Sequence, residues 1–527
     1  MHRDESTRSG VVTTAGGDVQ GVVVDGVGIF RGIPYGAPTG GAYRFRPPQP
    51  PAPWTGVRDT RLYGETAPQP RTFLAEGGFE GNRPHVGEDC LVLNVWTPAS
   101  SPAALASAAS SSGAGRPVLV WLHGGGFEAG TGSVMLYDGV ALCRRGDVVV
   151  VTVNHRLGVT GHLHLADIAG EEFAGSANAG FLDIVAALRW VRDNIAAFGG
   201  DPSNVTIYGQ SGGGRKVSLA TAAPVAAGLF HRGIVQSGSH LRLLTREAAH
   251  ERAEQLLAQL GIPVGQWRRL QELPMRDLGR AARAVRRRFS PTVDDVVFDR
   301  HPWDPDAPPP AWDVPMLVGT CRTELSLQLG MVDPTVHDIT DADLPERLAG
   351  VVEPDDVEGL AAIVRRSRPD APAPEVLFTI ATMRGYWRDS VLQTERKAAQ
   401  AAAGGAPVWS YRVTWRTPVQ DGRMVSPHNL DLPFVFDNVD RAPHIAGPPT
   451  HETAAMAEAM SESWLAFART GDPNNAAVPA WRPYDLAHRT VMHFEVPPVA
   501  VDDPFPDERL AMERYASQQA GGGVLHA

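Results

Sequence analysis

The sequence predicts an α/β fold, with a mostly parallel central sheet and helices on both of its faces. Apolar, β-branched runs of strand length recur along the chain, for example Val118–Leu122 and Val148–Val151. Residues 180–198 lie between two such runs and carry apolar side chains at helical spacing. Strands that alternate with helices form parallel sheets covered by those helices, and this order therefore favours the α/β class.

The predicted elements follow in chain order. Residues 19–35 predict a β-hairpin that leads into a proline-rich segment. Residues 99–115 are almost entirely Ala, Ser, Pro and Gly, which predicts a flexible loop between two strands. Helical segments at about 245–290 and 340–403 interrupt the alternation of strands and helices and predict a cap over the sheet. Strands are predicted at residues 91–96, 118–122, 147–153, 205–208, 317–319 and 408–413, and a late helix at residues 452–469.

Composition and charge narrow the range of partners. The chain has 527 residues, of which 43% are hydrophobic and 20% charged, as in soluble globular proteins. A net charge of -11 argues against nucleic acid as the main partner, because phosphate binding needs a basic surface. No apolar run is long enough to span a membrane, and Met1–Arg8 lacks the apolar core of a secretory signal. The three cysteines show neither metal-ligand nor disulfide spacing. A reduced, cytoplasmic setting is predicted.

Ser211 is the predicted nucleophile. It lies in Gly-Gln-Ser-Gly-Gly, directly after the apolar run Val205–Tyr208. Gly-x-Ser-x-Gly after a strand is the pattern of a nucleophile elbow, a sharp strand-to-helix turn that exposes the serine hydroxyl. A serine alcohol needs a base, an acid that orients the base, and donors for the oxyanion.

The sequence offers a segment for the oxyanion donors. His123–Phe127 reads His-Gly-Gly-Gly-Phe and follows a predicted buried strand. Esterases and lipases use such a segment to direct backbone N–H groups at the developing charge. The N–H of Gly212, the residue after the nucleophile, is expected to join them. An ordinary glycine turn after a strand is the alternative interpretation.

A base and an acid follow Ser211 in the order Ser, acid, His. His428 lies on a loop after the last predicted sheet strands, whereas His493 fits a packed strand residue better. Glu324 follows the strand at 317–319 across a short loop. Asp294 and Asp295 compete with Glu324 for the acid position on chain order alone.

Long segments of the chain resemble the type-B carboxylesterase family, which includes bacterial para-nitrobenzyl esterases and the cholinesterases. Phe198–Gly213 is similar to the family's serine signature, and Glu88–Asn94 resembles its second signature. Further matching segments lie at residues 32–35, 154–158 and 471–474, so that the resemblance extends from about residue 19 to residue 500. It implies a single α/β-hydrolase domain over residues 1–527, with the helical segments as cap insertions.

The resemblance also implies roles for individual residues. Glu324 would be the triad acid and His428 the base, and the oxyanion donors would be Gly125, Gly126 and Gly212. The implied reaction is ester hydrolysis through an acyl-enzyme, with a small-molecule ester as substrate and no metal or organic cofactor. The sequence leaves the oligomeric state open.

This chain departs from the family pattern around the elbow. Gly212 stands where the family usually has Ala, which suggests a looser turn, and Gln210 stands where Glu is frequent. Arg215 and Lys216 replace small residues on the following helix, where cations are unfavourable near the N-terminus. A structural ion pair is the expected compensation, with a buried carboxylate or an acidic substrate group as the other possibilities.

The cysteine pattern also differs from that of secreted family members, which pair the cysteine equivalent to Cys90 with one upstream. Ala67 occupies the corresponding upstream segment, so Cys90 is expected to be a free, packed thiol.

Two alternatives to an esterase remain open. The same machinery could act on an amide, carbamate, lactone or thioester of a natural product or xenobiotic, or the fold could serve as a non-catalytic binding module.

Overall fold

The computed structural model describes residues 7–70, 85–98 and 115–517. The chain divides into two compact units. The first comprises Met1–Gly233 and Leu243–Pro302, and the second comprises Ile234–Arg242 and Trp303–Ala527. Each unit has its own strands, helices and apolar core.

The sheet strands of the first unit are β1 (Thr7–Thr14), β2 (Gly17–Val24), β3 (Val27–Pro34), β4 (Val57–Asp59), β5 (Val92–Thr97), β6 (Arg116–Leu122), β7 (Val149–Val153) and β8 (Gly200–Gln210). Their order in the sheet is β1-β2-β3-β5-β7-β6-β8, with β4 paired to β2. At one end of this order β6 pairs with β7 and β8 in parallel, whereas β1, β2, β3 and β5 pair antiparallel at the other end.

The register of β6 and β8 determines where the two segments of the candidate site begin. Leu122, the last residue of β6, pairs with Gly209, the penultimate residue of β8. Because the strands are parallel neighbours, the segments that follow them leave the sheet side by side. The loop after Leu122 and the turn at Ser211 therefore start next to each other.

The helix predicted at residues 180–198, between two strands, is present in the first unit. The structure has a helix at Ala179–Asn194 followed by a 3₁₀ turn at Ile195–Phe198, and the predicted apolar positions Phe181, Ile184, Leu188 and Val191 are buried. The helices are α1 (Val140–Gly146), α2 (Gly158–His162), α3 (Ala166–Ala169), α4 (Ala179–Asn194), α5 (Gly212–Ala222), α6 (Arg246–Gln259), α7 (Arg269–Glu272) and α8 (Met275–Ala284).

The strands of the second unit are β9 (Arg232–Gln236, which begins in the first unit), β10 (Met316–Cys321), β11 (Val408–Val413), β12 (Thr490–Phe494) and β13 (Val499–Asp502). Their order is β9-β10-β11-β12-β13, with β10, β11 and β12 parallel in the middle and β13 antiparallel. Its helices are α9 (Ser326–Val332), α10 (Leu344–Arg347), α11 (Val357–Ser367), α12 (Ala373–Thr382), α13 (Arg388–Ala402), α14 (Leu432–Val435), α15 (Pro443–Ala446), α16 (His451–Thr470) and α17 (Pro506–Met512).

Most predicted elements are confirmed. β2 and β3 form the predicted hairpin, and α16 matches the late helix to within a residue at each end. The segments at 245–290 and 340–403 contain helices α6–α8 and α10–α13, each group packed around apolar residues of its own unit. Their role as a cap, and the single-domain organisation, stay predictions. The predicted loop at 99–115 lies outside the described residues except for its last position.

Two further features concern cysteines and membranes. All three cysteines are free and buried, which confirms the expectation for Cys90. Burial raises the pKa of the Cys90 thiol far above its usual value, so the thiol stays protonated. Among the described residues, no helix combines the length and hydrophobicity needed to cross a membrane.

Candidate active site

Ser211 has the backbone conformation of a nucleophile elbow. It lies between β8 and α5 with φ 57° and ψ -121°, and its side chain is partly exposed. A positive φ is rare for a residue with a side chain and is maintained only where the surrounding structure enforces it. Here β8 fixes the chain on one side, and the Arg215 N–H donates to the Ser211 carbonyl oxygen at 3.0 Å on the other.

The loop after β6 needs glycine for its shape. Gly125 has φ 93°, and a Cβ atom there would lie 2.3 Å from the Ala129 oxygen. The Gly125 carbonyl oxygen accepts from the Ala129 N–H at 3.0 Å, which closes a tight turn. Gly125 and Gly126 are both partly exposed, so a ligand can approach their backbone.

Gly212 and Gly126 bring the loop and the elbow together. A Cβ atom at Gly212 would lie 2.3 Å from both the nitrogen and the oxygen of Gly126 and 2.6 Å from its Cα. The predicted donors Gly125, Gly126 and Gly212 thus belong to one assembly within the first unit. The expectation of a looser turn at Gly212 is wrong, because the missing methyl group is replaced by a closer approach of the loop.

Lys216 has different partners from those expected. Its side chain is buried, and Nζ donates to the carbonyl oxygens of His123 at 2.9 Å and Gly126 at 3.0 Å. Among the described residues no carboxylate forms an ion pair with it, so the expectation of a structural ion pair is wrong for this lysine. Burial, and to a smaller degree the charge of Arg215, lower the pKa of Lys216 to about 7.

Glu324 and His428 form a pair in the second unit. Nδ1 of His428 lies 2.5 Å from Oε2 of Glu324, and both side chains are buried. Oε1 of the same carboxylate accepts from the Cys321 N–H at 2.7 Å. The backbone N–H of His428 also donates to the Glu324 carbonyl oxygen at 3.2 Å. Because a carboxylate accepts hydrogen bonds, this arrangement holds the proton on Nδ1 and leaves the lone pair on Nε2.

Sequence reasoning missed the residues that brace this pair. The Thr323 hydroxyl donates to the Met424 carbonyl oxygen at 2.7 Å and accepts from the Ser426 N–H at 2.9 Å. The hydroxyl of Ser326 donates to the same Met424 oxygen at 2.8 Å. These bonds join the loop that carries Glu324 to the loop that carries His428. Their only sequence signal is the position of hydroxyl residues within two positions of the predicted acid and base.

The competing candidates have structural partners. Asp294 is buried, accepts from the side chain of Asn178 at 2.8 Å, and caps a turn through the Val297 N–H at 2.8 Å. Asp295 is exposed. His493 lies within β12, where burial, and then the charge of Arg412, lower its pKa to about 3. Asp294 and Asp295 belong to the first unit, and His493 is a strand residue, as the sequence indicated.

Comparison with known proteins gives a consistent result. The family model described as "Carboxylesterase family" matches residues 8–512. The chain is 36% identical to the para-nitrobenzyl esterase of Bacillus subtilis over 95% of its own length and 97% of the relative's. It is 33% identical to the phenmedipham hydrolase of Pseudarthrobacter oxydans, over 89% and 92%. Among solved structures, a Geobacillus stearothermophilus carboxylesterase superposes with a TM-score of 0.81 at 38% identity, covering 95% of this chain and 100% of that one.

Proposed function

This chain belongs to the carboxylesterase family and is a carboxylic ester hydrolase with the α/β-hydrolase fold, and we propose that it acts through a Ser211–His428–Glu324 triad and an acyl-enzyme. The observation that carries the proposal is the 2.5 Å contact between Glu324 and His428, two buried residues that are 104 positions apart. The strained backbone of Ser211 supports it independently, because such strain concentrates at functional sites.

The proposed mechanism begins with proton transfer. His428 removes the Ser211 proton through Nε2 as the serine oxygen attacks the ester carbonyl. Glu324 keeps His428 in the Nδ1-protonated tautomer and stabilises the imidazolium that forms. The C–O bond to the alcohol then breaks, and His428 returns its proton to the leaving oxygen. Water, activated by His428, hydrolyses the acyl-enzyme and restores Ser211.

The oxyanion of each tetrahedral intermediate is assigned to the backbone N–H groups of Gly125, Gly126 and Gly212. The close packing of Gly126 on Gly212 supports a single, compact set of donors. Each donor of this kind contributes about 3–4 kcal/mol to transition-state stabilisation, because it is oriented before the charge develops.

The proposed substrate is a small-molecule carboxylic ester, the class of substrate that the name of the Bacillus subtilis para-nitrobenzyl esterase indicates for that relative. Amides and thioesters use the same steps with a nitrogen or sulfur leaving group, a lactone releases an alkoxide that stays attached to its acyl chain, and a carbamate forms a carbamoyl-enzyme in place of an acyl-enzyme. A matched series with one acyl group and oxygen, nitrogen or sulfur leaving groups, together with a lactone and a carbamate, separates these classes by kcat/KM. Aromatic diesters and a range of acyl lengths complete the series.

The test of the triad is the Ser211→Ala variant, with Ser203→Ala as the matched control. Ser203 is an exposed serine of the same strand segment. We expect Ser211→Ala to lose about 10⁶-fold in kcat and to resist labelling by a fluorophosphonate probe, while Ser203→Ala keeps both properties. Full activity of Ser211→Ala would refute the assignment. A wild-type protein that is neither labelled nor active would indicate a binding module instead.

A further inference from the structure

Lys216 is a buried cation next to the proposed nucleophile. It lies on α5, five residues after Ser211, and its side chain is 1% exposed. Lysine is almost never buried to this extent unless its charge has partners. Here the partners are the carbonyl oxygens of His123 and Gly126, at 2.9 Å and 3.0 Å from Nζ. The Phe127 ring lies 5.9 Å from Nζ and adds a weaker attraction.

These two carbonyl groups lie near the two ends of residues 123–127, the segment that carries the proposed donors Gly125 and Gly126 and is called the oxyanion segment below. One belongs to the peptide bond between residues 123 and 124, and the other to the bond between residues 126 and 127. The N–H groups assigned to the oxyanion, those of Gly125 and Gly126, lie between these ends. Because a run of three glycines has much backbone freedom, its ends must be held for its donors to be accurately placed.

The same lysine fixes the segment relative to the nucleophile. Lys216 belongs to the helix that begins at Gly212, and Gly126 packs on Gly212 at distances that leave no room for a methyl group. The ammonium group therefore connects the oxyanion segment to the helix of the elbow. Its burial excludes direct contact with an acidic group of the substrate, which the sequence had left open.

The charged and titratable groups that face Lys216 define its pH behaviour. Burial, and to a smaller degree the positive charge of Arg215, lowers the pKa of Lys216 to about 7. Burial, and then the charge of Lys216, lower the pKa of His123 and His155 well below the usual value. Burial lowers the pKa of His162 to about 3. Of these groups, Lys216 is the one whose charge changes between pH 6 and pH 9.

We propose that Lys216 is a positioning residue that fastens the oxyanion segment to the helix of the nucleophile, and that the rate of ester hydrolysis depends on this lysine being protonated. The inference rests on the proposed function, because it assigns catalytic importance to the position of Gly125 and Gly126. Loss of the proton turns two charge-assisted hydrogen bonds into neutral ones, which are about half as strong.

The test compares kcat/KM from pH 5.5 to 9.5 for wild type, Lys216→Met and Arg215→Met. We expect the wild-type rate to fall about tenfold as the pH rises through about 7. Lys216→Met keeps the length of the side chain without donors, and it should lose at least tenfold at pH 6 and show no such fall. The loss should appear in kcat rather than KM, since oxyanion donors act in the transition state.

Arg215→Met is the sharper variant, because it leaves Lys216 and both hydrogen bonds in place. Removing the neighbouring positive charge should move the decline by about one pH unit to higher pH, with the rate at pH 6 unchanged. A wild-type pH profile in either variant would overturn the inference. If Ser211→Ala is inactive and the Lys216→Met profile is unaltered, only this inference fails; if Ser211→Ala is active, the proposed function fails as well.

Discussion

The close contact between Gly212 and Gly126 leads to a prediction that opposes the family pattern. The family resemblance implies Ala after the nucleophile, so the resemblance alone suggests that Gly212→Ala is harmless. In this structure the new Cβ atom would lie 2.3 Å from backbone atoms of Gly126, whereas ordinary contacts begin at 3.4 Å. Both atoms belong to the backbone, so the oxyanion segment itself must move by about 1 Å.

The magnitude follows from that displacement. A shift of about 1 Å in a catalytic group lowers rates about 10²-fold, and full loss of one oxyanion donor lowers kcat about 10²- to 10³-fold. We expect kcat of Gly212→Ala to fall about 10²- to 10³-fold with KM nearly unchanged. The forced packing should also lower the free energy of unfolding by about 1–3 kcal/mol.

The assay is steady-state hydrolysis of a chromogenic ester, with urea denaturation to measure stability. Gly279→Ala is the matched control, because it adds the same methyl group on α8, where the nearest atom is a flexible Arg283 nitrogen at 3.9 Å. That control should keep wild-type activity and gain up to about 1 kcal/mol in stability. Activity of Gly212→Ala within threefold of wild type would refute the argument from close packing.

Three further outcomes are expected. Glu324→Gln should lower kcat about 10⁴-fold with the fold intact by circular dichroism, because the amide no longer holds His428 in the reactive tautomer; a loss below tenfold would exclude this role. Asp183→Asn should lower the free energy of unfolding by about 3–5 kcal/mol in urea, because Arg156 stays buried without the carboxylate that lies 2.6 Å away; an unchanged midpoint would contradict this. The pKa of Lys216 is depressed from 10.5 to about 7, so the unfolded chain binds a proton between these values that the native protein lacks. Wild-type stability should therefore rise with pH across this window relative to Lys216→Met, and parallel stability curves would argue against a buried, depressed lysine.

The sequence predicted the parts of the candidate site that depend on short stretches of chain. Gly-x-Ser-x-Gly after an apolar run predicts a turn with strained backbone, and Ser211 has that backbone. Glycine-rich sequence after a buried strand predicts a tight loop, and Gly125 forms one. These features are local, since the conformation of a turn depends mainly on the residues within it.

The resemblance also ranked Glu324 and His428 above their competitors, but it could not supply their contact. Asp294 and His493 fit the same chain order or residue type, and only their positions show that one caps a turn and the other packs within a strand. The hydroxyl of Thr323 joins the loop that carries Glu324 to the loop that carries His428, across about 100 residues of chain. Such bonds require the parallel pairing of β10 and β11, which sequence periodicity does not specify.

The sequence by itself determined the alternation of strands and helices, the strained turn at Ser211, and the presence of the residue types that acyl transfer needs. Only the tertiary structure decided what surrounds them. Sequence reasoning expected an ionic partner for Lys216 and a looser turn at Gly212, because charge and side-chain size are the properties visible in a one-dimensional chain. Parallel pairing of β6 with β8 instead places the backbone of the oxyanion segment against α5. That backbone accepts hydrogen bonds from Lys216 and occupies the volume that a methyl group at position 212 would need. This one contact accounts for both the buried lysine at position 216 and the glycine at position 212.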